Sequence, residues 1–81
     1  MPPGGNYTQK QGQYLAFIYY HSKIHGVPPS EAEMQRYFGV TPPTVHQMIL
    51  CLEDRSLITR TPGTARSIRL TLPRTELPGL E

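Results

Sequence analysis

Apolar side chains recur at helical intervals in three successive stretches of the chain, and the interval then shortens to that of a strand. Leu15, Ile18 and Ser22 stand at i, i+3 and i+7, flanked by Tyr14 and Phe17. That is the stripe one face of a helix turns to a core. Thr8 suits an N-cap and Gly26 a C′ position, so a helix is predicted from Gln9 to about His25. Gly12 inside this helix costs about 0.5–1 kcal/mol relative to Ala. Either another backbone or a ligand approaches it, or it is a tolerated defect. The segment "VPPS" (27–30) is extended, because a residue before proline is pushed out of the α region. Ser30 followed by Glu33 is an S-x-x-E capping box that opens a second helix at Glu31. Met34, Tyr37 and Phe38 form its apolar face, and Gly39 stops it.

The third apolar stretch follows two adjacent prolines in "GVTPPTVHQMI" (39–49). The first N–H groups of a helix have no internal partner, so proline costs little there and presets φ. A third helix is therefore predicted from residue 42, plus or minus one, to about Arg55. Thr41 and Pro42 are both candidate caps. Val45, Met48 or Ile49, and Leu52 fall inward at 3.6 spacing. A helix stopped by glycine, a short turn and a helix started by proline make a helix-turn-helix.

After Ser56, "LITRT" (57–61) and "SIRLTL" (67–72) mix apolar and polar residues at a strand-like period, and "PGTAR" (62–66) between them is turn chemistry. These predict a two-stranded hairpin with arginines on its solvent side and at its tip. Ile58, Ile68, Leu70 and Leu72 are the expected core-facing set. The fold class is then mainly α with a small β-hairpin, a winged helix-turn-helix of three helices and an antiparallel wing. By this reading residues 1–7 are a flexible Pro/Gly arm, 8–72 the folded domain and 73–81 an irregular tail.

At 81 residues the chain makes one small domain. Such a chain buries only about 60–65% of the surface its unfolded form exposes, which leaves no room for a buried catalytic apparatus. The longest apolar run, "YLAFIYY" (14–20), is too short to span a bilayer, and "MPPGGNYTQ" has neither the basic n-region nor the apolar h-region expected of a signal peptide. Cys51 has no partner for a disulfide, and His21, His25 and His46 do not match a zinc spacing. No metal, cofactor or small-molecule ligand is expected, and a cytoplasmic setting fits. The net charge of +2 hides an uneven distribution. Between Arg55 and Arg74 there are five arginines (55, 60, 66, 69 and 74) and no acidic residue. A one-sign segment suits a polyanion, although solvated arginines on a small domain would look the same.

The chain resembles the N-terminal DNA-binding domain of the LexA repressor family over about residues 7 to 72. "YTQKQGQYLAFIYYHSKIHGVPPSEAEMQRYFGV" is similar to the family's T-x-R-Q helix followed by G-x-P-P-T-x-x-E-I-x-x-x-L-G. "TPPTVHQMILCLEDRSLI" resembles its recognition helix and first strand, and "RTPGTARSIRL" the R-G-I-R-L end of its wing. Ser56 stands where the family usually has glycine after the recognition helix, and Ser67 replaces the wing glycine. The turn between the second and third helices is one residue shorter than in the repressor itself. His46 and Gln47 occupy positions that are charged in the family, so the DNA sequence read need not be the LexA operator. The family's self-cleaving domain, with its Ser/Lys dyad, has no counterpart here, so no enzymatic activity is expected.

The resemblance implies double-stranded DNA as the partner, and it is compatible with a homodimer on DNA. Helix-turn-helix proteins read bases with the N-terminal residues of the inserted helix, here Thr41, Pro43, Thr44, His46 and Gln47. Gln can bond adenine N6 and N7 together, and Thr can touch a thymine methyl group. The alternative for these residues is a polar solvent face. Lys10, Ser30, Arg36, Arg60, Thr64 and Arg66 are the candidate phosphate contacts, with capping alone an equal explanation of Ser30. Tyr19, Tyr20 and Tyr37 read as core-edge aromatics and Cys51 as a small semi-buried residue. A winged helix that binds an acidic protein partner is the rival function.

Overall fold

The computed structural model describes residues 7–80; residues 1–6 of the predicted 1–7 arm, and Glu81, lie outside the described residues. Three helices come first, α1 (Gln9–His25), α2 (Glu31–Phe38) and α3 (Pro42–Asp54). A two-stranded antiparallel hairpin follows, β1 (Ile58–Thr59) and β2 (Arg69–Leu70), with Ile58 opposite Leu70 and Thr59 opposite Arg69. This is the winged helix-turn-helix arrangement.

Local chemistry sets the helix ends. Thr8 accepts from the Gln11 backbone N–H while the Gln11 side chain accepts from Thr8, a full capping box at the start of α1. Ser30 and Glu33 do the same for α2. Gly26 and Gly39 end these helices in the left-handed region, at φ 76° and 66°. At the end of α3 the same role falls to Ser56, at φ 61°. The Leu57 N–H reaches the Leu52 carbonyl and the Ser56 N–H the Glu53 carbonyl, the paired bonds of a Schellman motif with serine in the glycine position. A left-handed L-residue costs about 1–2 kcal/mol, partly offset by the smaller entropy it loses on folding. Ser56→Gly is therefore expected to raise stability by about 0.5–1 kcal/mol in chemical denaturation. A lower stability would count against the strained cap.

Leu15, Met34, Val45, Ile49 and Leu52 are fully buried, with Tyr14, Ile18, Leu57, Ile58 and Ile68 nearly so. Of the expected wing residues, Ile58 and Ile68 are buried while Leu70 and Leu72 are half-buried against the core. Leu57 joins the core although strand alternation would point it outward, because the turn at Ser56 precedes the ladder and releases it from the alternating pattern. Tyr14 stacks on Phe38 with ring centroids 4.1 Å apart, joining α1 to α2. Tyr19 and Tyr20 are half-buried, whereas Tyr37 is exposed and stacked on Phe17.

The wing is shorter than the predicted strands. Beyond Thr59 the Ser67 hydroxyl takes over the pairing, accepting from the Thr61 N–H at 2.9 Å and donating to the Thr61 carbonyl at 3.0 Å. Serine at this wing position thus supplies a side-chain clasp. The chain's two flanks also differ from the expectation. Tyr7 is buried in the core rather than part of an arm. The segment after Pro73 forms a 3-10 turn, Arg74–Glu76, and lies along α1. The Tyr7 hydroxyl donates to the Glu76 carbonyl at 2.6 Å, the Gln13 amide to the Gly79 carbonyl at 3.0 Å, and Leu77 packs on the core. Gly12 sits beneath this crossing, where a Cβ would lie 2.9 Å from the Tyr7 ring and 3.0 Å from Pro78. The glycine is there to admit another part of the chain.

Candidate nucleic-acid interface

Thr41 is the cap of α3, with Pro42 and Pro43 as its first two residues. The prolines remove two N–H groups that would otherwise need partners. The Thr41 hydroxyl makes no cap bond and instead meets the Thr44 hydroxyl at 2.9 Å. Val45, Ile49 and Leu52 hold the opposite face of the helix in the core. Thr41, Pro43, Thr44, His46 and Gln47 are consequently all exposed, on a helix that cannot rotate without emptying that core. Gln47 makes no side-chain hydrogen bond to any described residue. His46 leans toward α2, with Nδ1 3.5 Å from Glu31 Oε1.

Pro43, Thr44, Gln47, Met48 and Cys51 line an open, shallow groove together with Gln11 of α1. Cys51 is exposed, not semi-buried as expected, since its place on α3 turns it toward α1 rather than the core. There it accepts a bond from Gln11 Nε2 at 3.2 Å. Gln11 is the residue that the sequence reading missed at this site. The T-x-x-Q spacing from Thr8 was the available signal.

A second concavity, about 240 Å³, lies between the wing and the start of α2. It gathers Ser30, Arg60, Thr64 and Arg66, four of the candidate phosphate contacts, but not Lys10 or Arg36, which are exposed elsewhere on α1 and α2. Two of the expected solvent-facing arginines are tied back to the body of the domain. Arg60 Nε donates to Glu53 Oε1 at 3.1 Å, and Arg66 Nη1 donates to Glu33 Oε1 at 2.7 Å and to the Pro28 carbonyl at 3.1 Å. The Ser30 hydroxyl is held by the Glu33 N–H. Thr64 stands exposed in the wing turn. Arg69 on β2 is exposed and has no acidic partner among the described residues.

Glu33 is the most strongly perturbed carboxyl at this site. The Ser30 backbone N–H and then Arg66 hold it down from 4.5 to about 2; burial opposes them, and His21 and the Ser30 hydroxyl add lesser help. A lowered folded-state value means that the folded chain favours the carboxylate. The stability this contributes is complete above about pH 4.5 and is lost as pH falls toward about 2. Across that window the melting temperature of the native chain should fall more steeply than that of Glu33→Gln. Parallel curves would place the carboxylate outside the network.

No helix among the described residues is long and apolar enough to cross a membrane. Compared with known protein families, residues 5–67 match the family model described as LexA DNA binding domain.

Proposed function

Since the chain belongs to the LexA DNA-binding domain family, we propose that it is the sequence-specific, double-stranded DNA-binding domain of a transcriptional regulator. The observation that carries this reading is the exposed N-terminal half of α3, where the Gln47 amide has no side-chain hydrogen bond among the described residues and stands beside Thr44. A helix entering the major groove by its N-terminus brings such side chains to base edges. Gln47 offers a paired donor and acceptor for adenine, while Thr44 and Pro43 offer apolar surface to a thymine methyl group. Thr41 flanks them, and His46 approaches from the α2 side. Neutral groups suit bases, and fixed cations suit the backbone. Lys10 and Arg36, both exposed, are the direct phosphate contacts of this proposal, with Ser30 and Thr64 at the edge of the wing concavity.

The experiment is selection of sites from random duplexes, followed by titration of the chosen site and a scrambled one at several salt concentrations. Log K should fall with log salt by about 0.9 per phosphate neutralised, and the chosen site should bind more tightly at every salt. Binding to neither duplex would favour the rival reading, a winged helix that docks on an acidic protein.

A further inference from the structure

We infer that Glu33 is a positioning residue for the wing, and that Arg66 is a strut of the DNA-binding surface rather than one of its phosphate contacts. The inference rests on the DNA-binding reading above. The wing's ladder holds two residues in each strand, too little for a hairpin to keep its direction unaided. Something outside the hairpin must aim it. Arg66 sits at the end of the wing turn in the left-handed region, at φ 56°, a costly conformation for an L-residue that surrounding contacts have to hold. Its side chain runs back to the body of the domain, where Nη1 meets the Pro28 carbonyl and Glu33 Oε1.

The same carboxylate accepts from the Ser30 N–H at 2.8 Å through Oε1, and its Oε2 lies 3.3 Å from His21 Nε2. His21 Nδ1 lies 2.9 Å from the Val27 carbonyl. One side chain therefore joins α1, the 26–30 loop, α2 and the wing. Arg60 and Glu53 make a second tie at the wing's base, to α3.

The two roles for Arg66 predict opposite signs. A phosphate-binding arginine is held back by an acid 2.7 Å away, so neutralising Glu33 would release it and tighten DNA. A strut needs that acid, so neutralising it would loosen the wing and weaken DNA even though a negative charge has gone. Glu33→Gln separates the two cleanly, because Gln also serves at the third position of a capping box and α2 keeps its start.

The test has two arms. Amide exchange across residues 60–67 is measured in the free protein, and duplex affinity against salt is measured for the native chain, Glu33→Gln, Arg66→Ala and the double variant. Wing amides should exchange several-fold faster in each single variant while those of α1 and α3 hold. Affinity should fall several-fold in both, with the salt slope unchanged and the double variant no worse than either single one. Unchanged wing exchange would overturn the inference. So would tighter DNA binding by Glu33→Gln with a slope reduced by about 0.9 in Arg66→Ala, the mark of one lost phosphate contact. If the native chain binds no duplex, the functional reading falls, and the exchange arm still decides the strut.

Discussion

Leu52→Ala is expected to lower the unfolding free energy by about 2–5 kcal/mol, the range for deleting a large aliphatic side chain from a packed core. Leu52 is fully buried, as are Ile49 and Val45 beside it on α3. The cost lies toward the upper part of that range where neighbours cannot collapse into the space. Here other members of the same core are themselves fixed, Tyr14 by its stack on Phe38 and Leu57 by the Schellman turn that begins at Leu52. Small domains have total stabilities of about 5–15 kcal/mol, with short chains toward the lower end. The variant should therefore be partly unfolded near body temperature. Denaturant titration would show a lower midpoint at similar slope. An unchanged midpoint would mean that α3 turns a different face to the core, and the exposed row at Thr44 and Gln47 would lose its basis.

Gln47→Ala is expected to do the reverse, sparing the fold and damaging recognition. Loss of a paired base contact should cost about 1–3 kcal/mol on the selected duplex and relax preference at one base position. Scrambled duplex should bind almost as before, since phosphate contacts are untouched. Stability should hold or rise slightly, because Gln47 is exposed and Ala is the better helix former. Thr44→Ala removes the hydroxyl that meets Thr41. Thr41 is then free to cap a backbone N–H, so this variant should also stay folded. Selected-site affinity that survives both substitutions would remove α3 from the reading of bases and promote a protein partner.

The helices were legible because their signals are local. Ser30 with Glu33, the glycines at 26 and 39 and the proline pair at 42 and 43 each act within one turn of where they stand. The buried face of α3 followed from spacing alone. What stayed hidden depends on contacts between distant parts of the chain. The sequence places Arg60 and Arg66 in a segment without acids, yet their partners are Glu53 and Glu33; Arg60 reaches back 7 positions across the Ser56 turn, and no spacing rule pairs Arg66 with a residue 33 positions away. Leu57 was missed for a different reason. Alternation assumes a ladder already begun, and here the turn at Ser56 intervenes. The strain at Ser56 was detectable only as a departure from a family glycine. The exposure of Cys51 depends on how α3 stands beside Gln11 of α1, which neither helix encodes by itself. The candidate base-reading positions were readable together because they share one short exposed stretch. The cations among the phosphate candidates were read as one class, and the structure separates Arg60 and Arg66, which are paired, from Lys10 and Arg36, which have no acidic partner among the described residues.

The crossing over Gly12 bears on the order in which the domain assembles. Tyr7 and Glu76 are 69 positions apart and Gln13 and Gly79 are 66. Contacts that close so long a loop are entropically expensive until the chain between them has already condensed. Turns within α1, α2 and α3 need no such closure and can form in the nucleus. The strap over α1 is then the last part to dock and the first to lift. Amides and side chains at the Tyr7 edge of the core are therefore expected to open in a local step below global unfolding, which native-state hydrogen exchange would detect.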